Sequence, residues 1–183
     1  MPIVEDAAHA FGAVDHRGKI AGSGTAGAAF SFYATKNLTA GEGGALATDD
    51  SELARFATNY RLHGLTRNAG AAWNPDTVTD AVGPGYKANL SDILAALARS
   101  QLRRFDDMQR RRRSAVLRYR ENLAGVADLE IVPHRLDDGN ADHLMTIALP
   151  AGVDRRRVFR CLNEAAIGTS VHFRPLHDYE WFE

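Results

Sequence analysis

Three lysines, Lys19, Lys36 and Lys87, are the only amine side chains in this chain of 183 residues. Lys36 follows an apolar segment and stands among small polar residues, so it is expected at the end of a strand and partly desolvated. Desolvation favours the neutral amine, which is a nucleophile toward a carbonyl group. A lysine in this setting is more often an ordinary surface residue, so a second group is needed before chemistry is inferred.

A carboxylate at the end of another predicted strand is that second group. Asp6 closes the opening apolar segment, and open α/β sheets place ligand-binding residues at such carboxyl ends. A lysine that forms a Schiff base and an acid that keeps a pyridine nitrogen protonated are the groups pyridoxal 5′-phosphate (PLP) requires. Ser31, five residues before Lys36, could donate to a phosphate oxygen. Alone, Asp6 could equally cap a helix and Ser31 could bond to backbone; the combination indicates PLP chemistry.

Composition excludes several other classes. The chain has 22 Lys and Arg against 23 Asp and Glu, a net charge of −1, which argues against a nucleic-acid or anionic-membrane partner. It contains no apolar run long enough for a membrane-spanning helix, and residues 1–6 lack a signal-peptide pattern. Its single cysteine, Cys161, excludes an internal disulfide framework and a cysteine-based zinc site. These features favour a cytoplasmic protein without a metal.

The elements that position Asp6 and Lys36 are short strands joined by glycine-rich loops. Strands are predicted over residues 1–5, 28–32 and 45–48, followed by a helix from Asp49 or Asp50 to about Leu62. The polar stretch 64–85 is predicted to be a functional or mobile loop.

The longest helical pattern is expected over residues 91–123. It includes six arginines between Arg103 and Arg113, interleaved with Asp106 and Asp107. A solvated helix face is the favoured interpretation, and a nucleic-acid contact is the alternative.

A smaller α+β region is predicted after residue 125. It would contain strands over 129–132, 143–149 and 167–173 and a helix capped by Asp154. We therefore expect two domains, 1–125 and 126–183, the second an α+β unit.

Several strings of this chain resemble the DegT/DnrJ/StrS family of PLP-dependent sugar-nucleotide aminotransferases. The strings are Val4-Glu5-Asp6-Ala7-Ala8-His9-Ala10, Ser31-Phe32-Tyr33-Ala34-Thr35-Lys36-Asn37-Leu38, Gly41-Glu42-Gly43-Gly44, Leu62-His63-Gly64, Gly85-Tyr86-Lys87-Ala88-Asn89-Leu90-Ser91-Asp92-Ile93 and Gly168-Thr169-Ser170-Val171-His172-Phe173-Arg174-Pro175-Leu176-His177. They occur in the family's order over essentially the whole chain. The resemblance implies an α/β fold: part of the fold type I large domain, which is built on a mostly parallel sheet with helices, followed by an incomplete small α+β domain.

The resemblance also implies roles for individual residues. Lys36 matches the Schiff-base lysine that moves the proton in transamination, and Asp6 matches the partner of the pyridinium nitrogen. His9 matches a position against the cofactor ring, Ser31 a phosphate ligand, and Asn89 a residue that reaches the neighbouring subunit's site. A structural role is as good an interpretation for the substrate-side candidates, which are His63, His172, Phe173 and His177.

The implied reaction transfers an amino group from glutamate to a keto-sugar nucleotide in a homodimer. The family's chains are about twice as long, and the phosphate-binding turn lies in the part that this sequence does not match. We therefore expect a partial enzyme with weak PLP binding that is inactive alone. The alternatives are a non-catalytic remnant or interaction module, and one half of a split enzyme.

Overall fold

The computed structural model describes residues 1–21, 23–66, 79–132 and 139–182, which form two compact units. The first unit comprises Met1–Ala124 and Arg135–Met145, and the second comprises Gly125–His134 and Thr146–Glu183. Residues 139–145 thus group with the first unit, although the predicted boundary at residue 125 places them in the second domain. Residues 67–78 of the predicted loop lie outside the described residues.

A three-stranded sheet is the centre of the first unit. Strand β1 (Val4–Asp6) pairs in parallel with β2 (Gly27–Ser31), and β3 (Gly44–Ala47) pairs antiparallel with the other edge of β2. These bounds lie close to the predicted ones, and the α/β prediction is confirmed. Because β1 and β2 are parallel, with Asp6 opposite Ala29, their carboxyl ends lie at the same edge of the sheet.

Among the described residues of the first unit there are three α-helices: α1 (Ser51–Tyr60), α2 (Asp92–Leu102) and α3 (Phe105–Leu123). The prediction of one helix over 91–123 is wrong. The Arg104 N–H donates to the Gln101 carbonyl at 3.0 Å, so the last turn of α2 tightens and the chain restarts at Phe105. Neither glycine nor proline marks this break. It accompanies the packing of the Phe105 ring edge-on against Phe11, at 5.0 Å between centroids.

The segment that follows β2 contributes the buried residues of an apolar cluster. Phe32, Leu38 and Ala40 are buried, and the partly buried side chains packed against them are Phe11, Phe30, Leu94, Ala98 and Phe105. Phe11 meets Phe30 edge-to-face at 5.4 Å, a favoured aromatic geometry. The cluster therefore brings β2, the residues around Lys36, and helices α2 and α3 together.

In the second unit, the residues that the structure describes form a two-stranded antiparallel sheet, one α-helix and two short 3₁₀ helices. Their bounds are β4 (Glu130–Val132), β5 (Thr146–Ala148), α4 (Arg155–Glu164), and 3₁₀ turns at Leu176–Asp178 and Glu180–Phe182. The predicted strand over 167–173 is absent, because no strand of the described part of the chain pairs with this segment. The predicted strand over 143–149 is shortened to Thr146–Ala148.

No helix in the described ranges is long and apolar enough to cross a membrane. The same residues also contain no cluster of histidine, cysteine and carboxylate side chains that could hold a metal ion.

Candidate functional site

Asp6 and Ser31 lie at the shared carboxyl edge of β1 and β2. The Ala7 N–H donates to the Ala29 carbonyl at 2.9 Å and carries the strand pairing just past Asp6. The Asp6 carboxylate accepts from the Ala8 N–H at 3.1 Å and stays exposed; turns follow rather than a helix, so the helix-cap interpretation is wrong. The Ser31 hydroxyl oxygen accepts from the Tyr33 N–H at 3.2 Å, which leaves its own proton to donate elsewhere.

Lys36 is carried on a loop whose two ends are tied together. The Phe32 N–H donates to the Gly43 carbonyl at 2.8 Å, and the Ala40 N–H donates to the Phe32 carbonyl at 2.9 Å. Within the loop, the Lys36 N–H closes a turn on the Tyr33 carbonyl at 2.9 Å. Lys36 itself is half-buried. The loop is therefore an ordered support for this lysine.

The next residue, Asn37, connects this loop to residues far along the chain. Its side chain is only 5 % exposed, and its amide N–H donates to the Ala141 carbonyl at 2.6 Å. Its amide oxygen lies 2.8 Å from Nδ1 of His143. The His143 ring lies against the His9 ring, at 4.2 Å between centroids. The network thus links the residue beside Lys36 to His9, and sequence reasoning missed both Asn37 and His143.

Helix α3 holds the segment that carries His143. Nε of Arg113 lies 2.8 Å from Oδ2 of Asp142, whose side chain is 1 % exposed. Arg113 also donates to the Asn140 carbonyl at 3.2 Å, and the Gln109 amide donates to the Ala141 carbonyl at 2.6 Å. The segment is therefore fixed by charge and by hydrogen bonds from one face of α3.

The predicted solvated arginine face is only partly present. Arg110 and Arg111 are exposed and pair with Asp107 at 3.3 and 3.0 Å. Arg112 and Arg113, by contrast, are half-buried, and burial lowers the pKa of the Arg112 guanidinium while attraction to Asp142 opposes that shift. The prediction is wrong for these two residues because their neighbours come from a distant segment.

His63 and Asn89 lie on neighbouring segments of the first unit. The His63 N–H donates to the Tyr86 carbonyl at 2.9 Å, and the Lys87 ammonium donates to the Asn89 amide oxygen. Leu90 packs on Gly43, where an added Cβ would lie 2.6 Å from Leu90 Cδ1. The Asn89 segment thus contacts the far end of the Lys36 loop, although both His63 and Asn89 are exposed.

The remaining candidates belong to the second unit. The rings of His172 and Phe173 lie 4.5 Å apart, and Nε2 of His177 lies 3.5 Å from the Asp178 carboxylate. All three candidate side chains are exposed.

The candidate side chains provide partners for the carbonyl group and the ring nitrogen of PLP, but only one for its phosphate. Lys36 offers an amine for a carbonyl, Asp6 an acid for a ring nitrogen, and Ser31 a hydroxyl for one phosphate oxygen. A phosphate is usually held at the open N-terminus of a helix. Helices α1, α2 and α4 instead close their first backbone N–H groups with side-chain caps, which come from Asp50, Ser91 and Asp154. Helix α3 has no such cap, but its first residue, Phe105, packs against the apolar cluster.

The architecture, a mixed α/β unit with a lysine loop and a carboxylate at adjacent strand ends, is that of part of a fold type I enzyme. The model of the DegT/DnrJ/EryC1/StrS aminotransferase family matches residues 1–183. The chain belongs to this family.

Three relatives show how far the match extends. The chain is 42 % identical over 191 aligned positions to the spore coat polysaccharide biosynthesis protein SpsC of Bacillus subtilis, covering 99 % of the chain and 48 % of SpsC. It matches Helicobacter pylori PseC, an aminotransferase in pseudoaminic acid biosynthesis, with a TM-score of 0.89 at 26 % identity, over 100 % of the chain and 48 % of PseC. It matches the PMP form of Streptococcus pneumoniae Spr1654, described as a sugar aminotransferase, with a TM-score of 0.87 at 32 % identity over 100 % and 48 % of the two chains. The chain thus spans about half the length of these relatives.

Proposed function

We propose that this chain carries the lysine side of a PLP-dependent sugar aminotransferase site, with glutamate as amino donor and a keto-sugar nucleotide as acceptor. The observation that carries the proposal is the position of Asp6 and the Lys36 loop at the carboxyl ends of two adjacent parallel strands. The names of SpsC and PseC, which refer to polysaccharide and pseudoaminic acid biosynthesis, support a sugar substrate. The family supports PLP.

When bound, PLP supplies an electron sink for the charge that develops at the donor's Cα. Lys36 would hold the cofactor's carbonyl carbon and, once the amino donor has displaced it, would move the proton between Cα of the donor and C4′ of the cofactor. Asp6 would keep a proton on the ring nitrogen, and the Ser31 hydroxyl would donate a hydrogen bond to a phosphate oxygen. His9 would lie against the ring.

The substrate side of the proposal uses the exposed candidates. His63, His172, Phe173 and His177 contact the sugar nucleotide, and Asn89 reaches the phosphate region of a second subunit in a homodimer. No hydrogen bond or ion pair joins His63 or Asn89 to Asp6, Ser31 or Lys36 in the described ranges. Both residues are exposed, so a ligand or a second subunit could reach them, and the Asn89 amide oxygen already accepts from the Lys87 ammonium.

Borohydride reduction in the presence of millimolar PLP is expected to attach the cofactor preferentially at Lys36. Peptide mass mapping compares the extent of modification at the three lysines within one sample. Lys19 and Lys87 serve as references, because they are the only other side-chain amines and both are exposed. Equal modification of the three lysines would contradict the proposal. Lys36→Arg is the matched control that keeps the charge without forming the adduct.

PLP is expected to bind this chain weakly, with a dissociation constant on the order of a millimolar. The reason is that the helix starts of α1, α2 and α4 are capped by their own side chains, so charge-assisted phosphate bonds worth about 1.5–3 kcal/mol each are not formed there. Absorbance titration measures the affinity. Micromolar binding would show that the chain itself completes a phosphate site.

A non-catalytic module and one half of a split enzyme remain the alternative functions. Preferential reduction at Lys36 with weak affinity would support the catalytic proposals, in which another polypeptide segment contributes the phosphate contacts. In a module that only binds a partner, nothing would make Lys36 more reactive toward PLP than Lys19.

A further inference from the structure

Buried Asn37 and partly buried His143 form a contact whose chemistry fixes the position of one proton. The Ala141 carbonyl receives two amide N–H groups, from Asn37 and from Gln109, each at 2.6 Å. A carbonyl oxygen only accepts hydrogen bonds, so the NH₂ group of Asn37 must face it. The Asn37 amide oxygen therefore faces Nδ1 of His143, 2.8 Å away.

This orientation decides the tautomer of His143. An amide oxygen also only accepts, so Nδ1 must carry the hydrogen in both the neutral and the protonated ring. Any exchange of a proton between His143 and its surroundings is then restricted to Nε2. The ring is also fixed in the plane that brings it 4.2 Å from the His9 ring.

We propose that Asn37 and His143 are positioning residues of the Lys36 site, an inference that rests on the proposed function. Asn37 adjoins Lys36 in the loop, so its two hydrogen bonds hold the lysine's backbone to the segment anchored by Arg113 and Asp142. Because the His143 ring lies against the His9 ring, holding His143 in place also restricts the position of His9. The pair thereby sets the relative placement of the lysine and of the side chain predicted to lie against the cofactor ring.

The tautomer is tested directly on the ¹⁵N-labelled 183-residue chain without PLP. A long-range ¹H–¹⁵N spectrum recorded at about pH 8, where ordinary imidazoles are neutral, separates the two tautomers of each histidine. His143→Phe assigns the signal. We expect Nδ1–H for His143 and a shift toward Nε2–H in Asn37→Leu. An Nε2–H tautomer in the unsubstituted chain would overturn the inference.

Amide hydrogen exchange tests the positioning role, again without cofactor. Either substitution removes a hydrogen bond that holds the loop to residues 141–143, so exchange of the Lys36 N–H should accelerate about tenfold or more in Asn37→Leu and His143→Phe. His143→Asn keeps a donor near Nδ1 and should restore much of the protection. Amides of α1 are the internal reference, and His16→Phe is the control for loss of an exposed imidazole. Unchanged Lys36 exchange in both variants would contradict the inference.

Borohydride reduction with PLP then separates this inference from the proposed function. We expect the preference for Lys36 over Lys19 to fall severalfold in Asn37→Leu and His143→Phe and to recover in His143→Asn. No preference in the unsubstituted chain would count against the proposed function alone, because the tautomer and exchange results do not depend on PLP. A preference that both variants retain in full would count against the positioning role alone.

Discussion

Lys36→Ala is expected to slow amino transfer by about 10²–10⁴-fold in a chimera that carries this chain in place of the matching half of Spr1654. Spr1654 is a suitable host because its matched region superposes on the whole chain with a TM-score of 0.87. The other half of Spr1654 would supply the part of the enzyme that has no counterpart in the 183-residue chain. The chimera thus measures what Lys36 contributes when the site is complete.

The expected size of the effect follows from the role of the amine. A positioned base that moves a proton in the transition state contributes about 10²–10⁴-fold, and alanine removes it entirely. The loop around Lys36 keeps its backbone ties between Phe32, Ala40 and Gly43 in this variant, because none of them involves the lysine side chain. Lost activity would therefore reflect lost chemistry rather than a displaced loop.

The measurement is the rate at which glutamate converts the PLP form of the chimera to the pyridoxamine 5′-phosphate (PMP) form, followed by absorbance. Lys19→Ala is the matched control, since Lys19 is exposed and outside the candidate site; it should leave the rate unchanged. An active chimera whose rate is unaffected by Lys36→Ala would refute the catalytic proposal and favour a non-catalytic role for the chain.

The parts of the site that the sequence predicts are local in the chain. Asp6 and Ser31 lie at ends of short apolar segments, and Lys36 follows within one loop, so composition alone indicates strand ends bearing polar groups. The parallel pairing of β1 and β2 then brings the two ends to one edge. The cap of α1 at Asp50 is predicted for the same reason, because the capping carboxylate precedes its helix directly.

The parts that sequence reasoning missed depend on contacts between distant segments. Asn37 meets His143 across 106 positions, and no periodicity or spacing signals such a pair. The segment 167–173 shows the opposite case, since it has a strand-like composition but finds no strand partner in the described part of the chain. A strand needs a hydrogen-bonded neighbour, whereas a capped helix forms from its own residues.

A second large effect is expected from removing the ion pair between Arg113 of α3 and Asp142. Arg113→Met is expected to destabilise the contact between α3 and residues 140–142 by about 3 kcal/mol, because it removes the guanidinium that lies 2.8 Å from the buried carboxylate of Asp142. That carboxylate is 1 % exposed, while the Arg113 side chain is 21 % exposed. The mutation also removes the hydrogen bond to the Asn140 carbonyl. Native-state hydrogen exchange of α3 amides measures the loss.

Two further variants separate the buried charge from ordinary side-chain loss. Arg111→Met removes a guanidinium that is 81 % exposed and pairs with Asp107, and exposed pairs contribute only about 0–1 kcal/mol. Asp142→Asn keeps a residue type that tolerates the positive φ of 50° at this position while removing the charge. In the Asp142→Asn background, Arg113→Met should cost well under half of its original amount. If Arg113→Met lowers the stability no more than Arg111→Met does, the ion pair does not hold residues 140–142 on α3. The claim that α3 anchors the segment carrying His143, and through it Asn37, would then be contradicted.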